Sequence, residues 1–283
     1  MKTKSIYALL LLLCCIHIAS HAITKPKTKN PEEKLGWKLG AQAYTFRLFT
    51  FEEALAKIDS CNMSYVEAYP GQTLGAGSTE KFGYDLSPAG RQLVKKLLKE
   101  RGITLHAFGV TNGKDAAEWE KIFAFAKEMG IQVITCEPQE GHLDIVSALC
   151  DKYKIKAALH NHPDPSIYWT PEVVLGALKG RSKYMGAAAD VGHWMRSGLD
   201  PVDCLKKLEG KIFHSHFKDL NAFGDKKAHD VQWGTGKLPM QAVIQELKRQ
   251  KFKGMLSAEY EYNWKNSMPD VKQSVLNFRA LFP

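Results

Sequence analysis

The sequence predicts one parallel (β/α)8 barrel, the TIM-barrel fold. Short apolar segments alternate with amphipathic helical segments eight times from Trp37 to the C-terminus. Several of these apolar segments end in a carboxylate or an imidazole, and barrel proteins collect their functional groups at the carboxyl ends of the strands. The 283 residues suffice for one barrel, which takes about 250. An open doubly wound sheet is the alternative, but no Gly-x-Gly-x-x-Gly motif follows the first strand.

The predicted strands are apolar runs, and most are followed by a turn or a helix-capping residue. The sixth, Gly186–Asp190, consists of small residues without alternation, as expected for a strand buried on both faces. The other seven are expected at 38–46, 65–69, 103–108, 132–137, 156–162, 212–216 and 255–260.

Helix-capping residues mark the segments between the strands. Thr50 with Glu53 forms a capping box, Ser87-Pro88 and Thr170-Pro171 begin two further helices, and Gly102 ends one. The remaining helices are expected at 115–129, 142–153, from 200 onward, at 239–249 and at 271–281. The alternation of strand and helix is therefore complete, which favours the barrel.

The first 36 residues are expected to lie outside the barrel. Residues 1–22 have two lysines, an apolar stretch and the small-x-small site Ser20-His-Ala22, which indicates a signal peptide. We therefore expect an exported protein, periplasmic or secreted; a lipoprotein acylated at Cys14 or Cys15 is less favoured because leucines precede these residues. Residues 23–36 are expected to be a flexible segment and residues 37–283 the barrel domain.

Charge and cysteine content narrow the functional classes. The net charge of +9 is spread over predicted helix faces and the lysine-rich tail, so it indicates a solvated surface and no nucleic-acid partner. No membrane span is expected, because the apolar stretch of the leader is short. The four cysteines after the leader show no paired spacing and are expected to be buried thiols, although pairing remains open. The sequence also leaves open whether the chain forms an oligomer.

Four polar residues at predicted strand ends suggest a metal site. They are Glu137, Asp190, His216 and Glu259. A lone buried carboxylate is unfavourable, whereas four such groups at one end of a barrel can share a cation. Three carboxylates and one imidazole suit one divalent cation, Mn²⁺, Mg²⁺, Co²⁺ or Zn²⁺, and do not suit copper.

The order of these motifs resembles the sugar phosphate isomerase/epimerase family, with its xylose isomerase-like TIM barrel, from about Leu39 to the C-terminus. The matching motifs are Glu137-Pro138, Asp190-x-Gly-His193, His214-x-His216-x-Lys218-Asp219, Gly234-x-Gly236 and Ala258-Glu259. The resemblance implies that Glu137, Asp190, His216 and Glu259 hold the metal. It further implies that Glu137 and Glu259 act as the acid/base pair and that His193 and Lys218 contact the substrate.

Further residues are weaker candidates for substrate contacts. Glu67 and His106 are expected to end the second and third strands and to line the pocket. His160 and His162 share one face of the fifth strand, where they are either substrate contacts or support for the metal ligands. Trp194 could stack on a sugar ring.

The predicted chemistry is proton abstraction next to the carbonyl of a non-phosphorylated keto sugar by a metal-dependent isomerase or epimerase. The first alternative is a lyase or hydratase that eliminates the aglycone or water from a 3-keto-glycoside. An endonuclease IV-like nuclease is less favoured, since Ala228-His229-Asp230-Val231 lacks the expected Asp-x-His. A non-catalytic sugar-binding barrel would not need both Glu137 and Glu259. The sequence does not specify the sugar or the metal.

Overall fold

The computed structural model describes residues 30–282, so the predicted signal peptide and residues 23–29 lie outside the described residues. Eight parallel strands close into a barrel in which every strand pairs with its neighbours in the sequence, and β1 pairs with β8. The strands, β1 to β8, are Lys38–Gln42, Tyr65–Ala68, Thr104–Thr111, Val133–Cys136, Lys156–His160, Met185–Asp190, Ile212–Phe217 and Met255–Ala258. The predicted (β/α)8 fold is confirmed.

Helices follow the strands and surround the barrel. The main helices, α1 to α8, are Phe51–Ser60, Pro88–Arg101, Ala116–Met129, Leu143–Tyr153, Pro171–Leu178, Pro201–Lys207, Met240–Arg249 and Met268–Arg279. Thr50 and Glu53 form the predicted capping box at α1, and Gly102 ends α2 in the left-handed conformation. Two shorter helices, Pro31–Lys34 and Val191–Arg196, precede β1 and follow β6.

The small residues of β6 are required by close packing. A Cβ atom at Gly186 would lie 2.4 Å from the Lys211 carbonyl oxygen, so only glycine fits there. Ala188 packs inside the barrel with Ala107, Val133 and Ala158, while a larger apolar core fills the space between strands and helices. The interior is thus a packed core, and the site is confined to the barrel ends.

Several boundaries differ from the sequence-based expectation. β1 stops at Gln42, and residues Ala43–Phe46 form a 3-10 turn in which the Gln42 side chain accepts a hydrogen bond from the Tyr44 amide. β3 extends to Thr111, so His106 lies near its start instead of at its end. These shifts decide which side chains reach the carboxyl end of the barrel.

The structure describes residues 30–36 of the segment predicted to be flexible, and this part contacts α8. Glu32, in the helix Pro31–Lys34, is buried and forms an ion pair with Arg279 of α8 at 2.6 Å. No helix within residues 30–282 is long and apolar enough to cross a membrane. The cysteines of this part, Cys61, Cys136, Cys150 and Cys204, are unpaired and buried.

Candidate active site

The carboxyl ends of β5 to β8 bring four potential metal ligands together. Asp190 lies opposite His216 in the sheet, and Ser257 of β8 lies opposite His216 on the other side. Glu259 therefore follows two residues later on the same face as Ser257, because side chains alternate along a strand. His160 is the last residue of β5. These four side chains offer ligand atoms that all lie within 4.8 Å of one another.

The distances within this group fit a metal shell. His216 Nδ1 lies 3.0 Å from both His160 Nε2 and Glu259 Oε2. Asp190 Oδ2 lies 3.6 Å from His160 Nε2 and 3.8 Å from His216 Nδ1. Ligands at about 2.1 Å from one tetrahedral cation would be about 3.4 Å apart. The group therefore has the dimensions of a four-ligand site.

Two carboxylates orient the two imidazoles. Glu67 Oε2 lies 2.8 Å from His216 Nε2, and Glu137 Oε1 lies 2.8 Å from His160 Nδ1. When these nitrogens carry the protons and donate them to the carboxylates, the lone pairs of His216 Nδ1 and His160 Nε2 point into the group. Metal-binding histidines are commonly oriented by a carboxylate in this way.

Protonation of His216 competes with a cation. Burial lowers the pKa of His216, but the carboxylates of Glu259 and Glu67 outweigh burial and hold the pKa well above its usual value. A proton on Nδ1 would occupy the position from which the ring would bind a metal. The same nitrogen can thus carry either a proton or a cation.

Lys218 provides a buried positive charge beside the group. Its Nζ lies 3.1 Å from Asp190 Oδ2, 2.8 Å from Glu259 Oε2 and 2.6 Å from Glu261 Oε2. Burial lowers the pKa of Lys218, but Asp190 and Glu259 outweigh burial and raise the pKa well above the usual value. Lys218 is therefore a permanent ammonium.

The ammonium does not satisfy these carboxylates completely. Asp190 Oδ2 and Glu259 Oε2 are buried, and neither has a hydrogen bond of acceptable geometry despite the short distances to Lys218. Buried carboxylate oxygens without such a partner fit a bound cation.

His193 supports the site from behind Asp190. Its Nε2 lies 3.5 Å from Asp190 Oδ2, and Arg196 Nη1 lies 3.0 Å from its Nδ1. Burial lowers the pKa of His193 well below its usual value. Asp190 raises this pKa, but Lys218 and Arg196 lower it further. Lys218 Nζ lies 3.3 Å from the same Nε2, and because a neutral imidazole has one acceptor nitrogen, His193 can accept from only one of the two cations, Lys218 or Arg196.

A cavity of about 330 Å³ opens beside the ligand group. Its walls are Gln42, Tyr44, Tyr69, Pro70, Val110, His162, Glu259 and Glu261. This volume lies in the range of small-molecule sites. The wall combines aromatic rings, one imidazole and two carboxylates, which suits a small polar ligand.

A family model described as "Xylose isomerase-like TIM barrel" matches residues 55–281. The chain belongs to this family. Members of the family have the closed eight-stranded barrel seen here, and the resemblance to sugar phosphate isomerases/epimerases noted from the motifs is confirmed. No curated protein matches the sequence.

Three solved structures illustrate the range of this xylose isomerase-like family. A putative uncharacterized protein from Parabacteroides distasonis is 42% identical, with a TM-score of 0.71, over 86% of this chain and 98% of the other. A sugar phosphate isomerase/epimerase from the same species is 15% identical, with a TM-score of 0.63, over 88% and 96%. A probable 3-DHS dehydratase from Bacillus anthracis is 15% identical, with a TM-score of 0.62, over 84% and 97%. The last two are similar in fold alone.

Glu137 does not join the ligand group as the resemblance implied. Its carboxylate is held by His160 and His162 and belongs to a separate cluster with them. The imidazole of His160 separates Glu137 from the group, and His160 provides the fourth ligand atom in its place. Burial raises the pKa of Glu137, but the two histidines outweigh burial and lower it to about 2.

Three predicted substrate contacts are also corrected. Glu67 is completely buried, where it accepts hydrogen bonds from Thr135, Ser257 and the two imidazoles of β7. His106 lines a different cavity at the amino-terminal end of the barrel, because β3 starts only two residues before it. Trp194 packs in the hydrophobic core with 1% exposure and is not available to a ligand.

Two features of the site were not anticipated from the sequence. Glu261 lines the cavity and contacts Lys218, and its signal was its position two residues after Glu259, on the same face. Gly236 belongs to the loop and not to the ligand site: Asp219 accepts hydrogen bonds from the Gly234 and Gly236 amides at 2.8 and 2.9 Å. A Cβ atom at Gly236 would lie 2.3 Å from Asp219 Oδ1.

Proposed function

We propose that the protein is a divalent-metal-dependent isomerase or epimerase that moves a proton next to the carbonyl of a non-phosphorylated keto sugar. The observation that carries the proposal is the group of four ligand atoms, with both imidazoles oriented by carboxylates, directly beside a small polar cavity. His160, Asp190, His216 and Glu259 would hold the cation. A divalent cation supplies positive charge beside a ketone oxygen and so acidifies the neighbouring C–H bond.

Glu259 is the carboxylate best placed to accept a proton from a ligand in the cavity. Burial raises its pKa, but His216 and Lys218 outweigh burial and keep the pKa well below the usual value. Glu259 is therefore ionised, and it forms part of the cavity wall. Lys218 keeps this carboxylate in position at 2.8 Å.

A second proton-transfer group faces the same cavity. His162 lines the wall, and its Nδ1 contacts Glu137. The other ring nitrogen, Nε2, has no hydrogen bond within the described residues and is therefore available to a ligand in the cavity. We infer that the acid/base pair is Glu259 with His162, and that Glu137 acts through His162.

The charge of the cavity favours a neutral sugar. Glu259 and Glu261 line it, whereas no lysine or arginine is among the lining residues of the described chain. Lys218, the nearest ammonium, is already shared by three carboxylates. Apart from the proposed cation, the described lining residues offer no cationic side chain for a phosphate group, which favours a neutral sugar over a sugar phosphate and counts against a nuclease. The export expected from residues 1–22 would also expose the enzyme to free sugars.

Elimination is the second candidate, because one observation favours it. The imidazole of His162 in the cavity wall can protonate a departing oxygen as readily as it can return a proton to carbon. The same first step, proton abstraction by Glu259, would then lead to loss of the aglycone or water from a 3-keto-glycoside. The fate of the substrate distinguishes the two reactions.

The test is proton exchange followed by NMR in D₂O. The metal-loaded protein (Mn²⁺ for activity, Mg²⁺ where line widths matter) is incubated with free ketohexoses and 3-keto-glycosides. Deuterium next to the carbonyl in a retained sugar is expected for the isomerase or epimerase, and release of an aglycone or water would indicate the lyase. Glu259→Gln should lower exchange by at least a hundredfold, since it removes the base.

The matched control is Glu100→Gln, an exposed glutamate in the last turn of α2, at the opposite end of the barrel, which should exchange at the wild-type rate. Absence of exchange with every substrate, in protein shown to bind the metal, would contradict proton abstraction and favour a sugar-binding role. Equal exchange by Glu259→Gln and wild type would remove Glu259 from the mechanism.

A further inference from the structure

A second cavity, of about 480 Å³, lies at the amino-terminal end of the barrel, opposite the candidate active site. Its walls come from the first residues of six strands and the loops before them. They are Lys38, Tyr65, Thr104, His106, Gln132, Val133, Lys154, Lys156, Tyr184, Phe213, Lys253 and Gly254. No part of the proposed function uses this cavity.

Four lysines line the cavity, and no carboxylate does. Among the residues that the structure describes, none of Lys38, Lys154, Lys156 and Lys253 has a carboxylate within ion-pair distance, whereas many other lysines of the chain do. Uncompensated positive charge in a concave site attracts anions, because the low-dielectric walls focus the field.

Two of the four ammonium groups are positioned by backbone carbonyls. Lys38 Nζ donates to the Lys253 carbonyl at 3.2 Å, and Lys253 Nζ donates to the Leu35 carbonyl at 2.5 Å. Each keeps donor protons for a ligand, since an ammonium has three. Burial and the charge of Lys156 lower the pKa of Lys38, which shows that the like charges are close enough to repel.

Aromatic rings hold the other two lysines. Lys156 Nζ lies 4.6 Å from the Phe213 ring centre, and Lys154 Nζ lies 5.6 Å from that of Tyr184. These contacts orient the side chains without neutralising them. Two acidic neighbours influence the wall: burial and Glu33 raise the pKa of Tyr65, and Glu67 opposes the lowering of the His106 pKa.

The floor of the cavity is uncharged. His106 is 6% exposed, and burial, His214 and the lysines lower its pKa to about 3. Its neutral ring can donate or accept one hydrogen bond. A ligand would therefore meet a ring of ammonium groups above a polar, neutral floor.

We propose that this cavity is a binding site for a multivalent oxyanion, either free phosphate or sulfate or a sugar ester that carries one. Several ammonium groups around one concave site match the charge and acceptor oxygens of such a group. The lining of the candidate active site differs: its cavity has two carboxylates and no lysine or arginine among the described residues. The charged side chains that line the two cavities are therefore of opposite sign.

Calorimetric titration of the full-length protein at constant ionic strength tests the proposal. The probes are inorganic phosphate, inorganic sulfate and glucose 6-phosphate. Saturable 1:1 binding is expected, and the double variant Lys38→Gln, Lys156→Gln should bind at least tenfold more weakly. Tighter binding of glucose 6-phosphate than of phosphate would identify a sugar ester, and the reverse order would identify the free anion.

The matched control is the double variant Lys121→Gln, Lys127→Gln on α3, which removes the same charge from exposed positions and should bind as wild type does. Absence of saturable binding, or equal loss in both double variants, would overturn the proposal.

Lysine acetylation of the wild-type protein is a second test that needs no variant. Bound anion should protect Lys156 and Lys253 and leave Lys121 and Lys127 reactive, and uniform labelling would also overturn it.

Discussion

Glu67 is a buried carboxylate that orients His216, one of the proposed metal ligands, without itself belonging to the ligand group. Its Oε2 lies 2.8 Å from His216 Nε2 and 2.7 Å from His214 Nε2. Burial raises the pKa of Glu67, but the two histidines outweigh burial and hold the pKa well below its usual value. The ionised carboxylate fixes the His216 ring and directs Nδ1 toward Glu259.

Glu67→Gln should weaken metal binding by about 10- to 100-fold, the usual effect of removing the partner of a ligating histidine. Glutamine keeps the size of the side chain but removes the negative charge that holds the two imidazoles and replaces one acceptor oxygen with an amide donor. The measurement is calorimetric titration with Mn²⁺.

Glu100→Gln, an exposed glutamate in the last turn of α2, serves as the control and should leave the affinity unchanged. Wild-type affinity in Glu67→Gln, in protein with an unaltered unfolding free energy, would show that His216 does not depend on Glu67.

At the residue level, the structure brings three of the four predicted ligands together, and the position of Glu137 has a physical reason. Asp190, His216 and Glu259 each lie at or just past the end of an apolar strand, so their side chains reach the barrel end. Cys136 lies opposite Leu159, so Glu137 and His160 are level, and the contact between their side chains, which single-strand patterns do not encode, decides which of them reaches the group. Glu137 lies just beyond the end of β4, where its carboxylate contacts His160 and His162.

At the scale of elements, the helix Pro31–Lys34 and α8 are joined by one buried ion pair. Glu32 is 1% exposed, and Arg279 contacts both of its oxygens, at 2.6 Å for the shorter distance. Removal of one partner of such a pair leaves an uncompensated buried charge. The pair therefore fixes the segment that precedes β1.

Arg279→Met should lower the free energy of unfolding by about 3 kcal/mol, since Glu32 would keep its charge in a buried place. The measurement is urea unfolding. The second change Glu32→Met, added to Arg279→Met, should restore most of the loss because it removes the isolated charge.

Arg101→Met is the matched control. Arg101 pairs with Asp59 at an exposed site, with side chains 35% and 50% exposed, and such pairs contribute about 1 kcal/mol or less. Equal destabilisation by Arg101→Met and Arg279→Met would show that burial of Glu32 is unimportant.

The sequence predicted which segments form helices and which form strands, but it did not always predict where they end. Capping residues placed α1, α2 and α3 closely, because a cap is a local signal. β3 continues past Phe108 to Thr111 through Gly109, and no local signal marked that extension. The unrecognised extension is the reason that His106 was expected at the wrong end of the barrel.

On the scale of the whole molecule, the proposed cation would join four strands from the second half of the barrel. His160, Asp190, His216 and Glu259 belong to β5, β6, β7 and the end of β8. A cation that binds only the folded chain stabilises it by mass action. Metal binding should therefore raise the melting temperature of the entire barrel.

Mn²⁺ at one hundred times its Kd should raise the Tm by about 5 to 10 °C, from about 2.7 kcal/mol of binding energy, and EDTA should reverse the change. The raised pKa of His216 means that the metal must displace a proton, so affinity should rise with pH. At a fixed metal concentration the Tm increase should be larger at pH 8 than at pH 6. The measurement is scanning calorimetry at both pH values, and a larger increase at pH 6 would contradict displacement of the His216 proton.

Closure of the barrel has a consequence for the order in which the protein can form during synthesis. Lys38 at the start of β1 pairs with Met255 at the start of β8, roughly 200 residues later. At about 5 to 20 residues per second, the ribosome needs roughly 10 to 40 seconds to make the intervening chain. Throughout that time β1 has an unpaired edge. The nascent chain therefore needs protection from pairing with other chains until β8 has been synthesised.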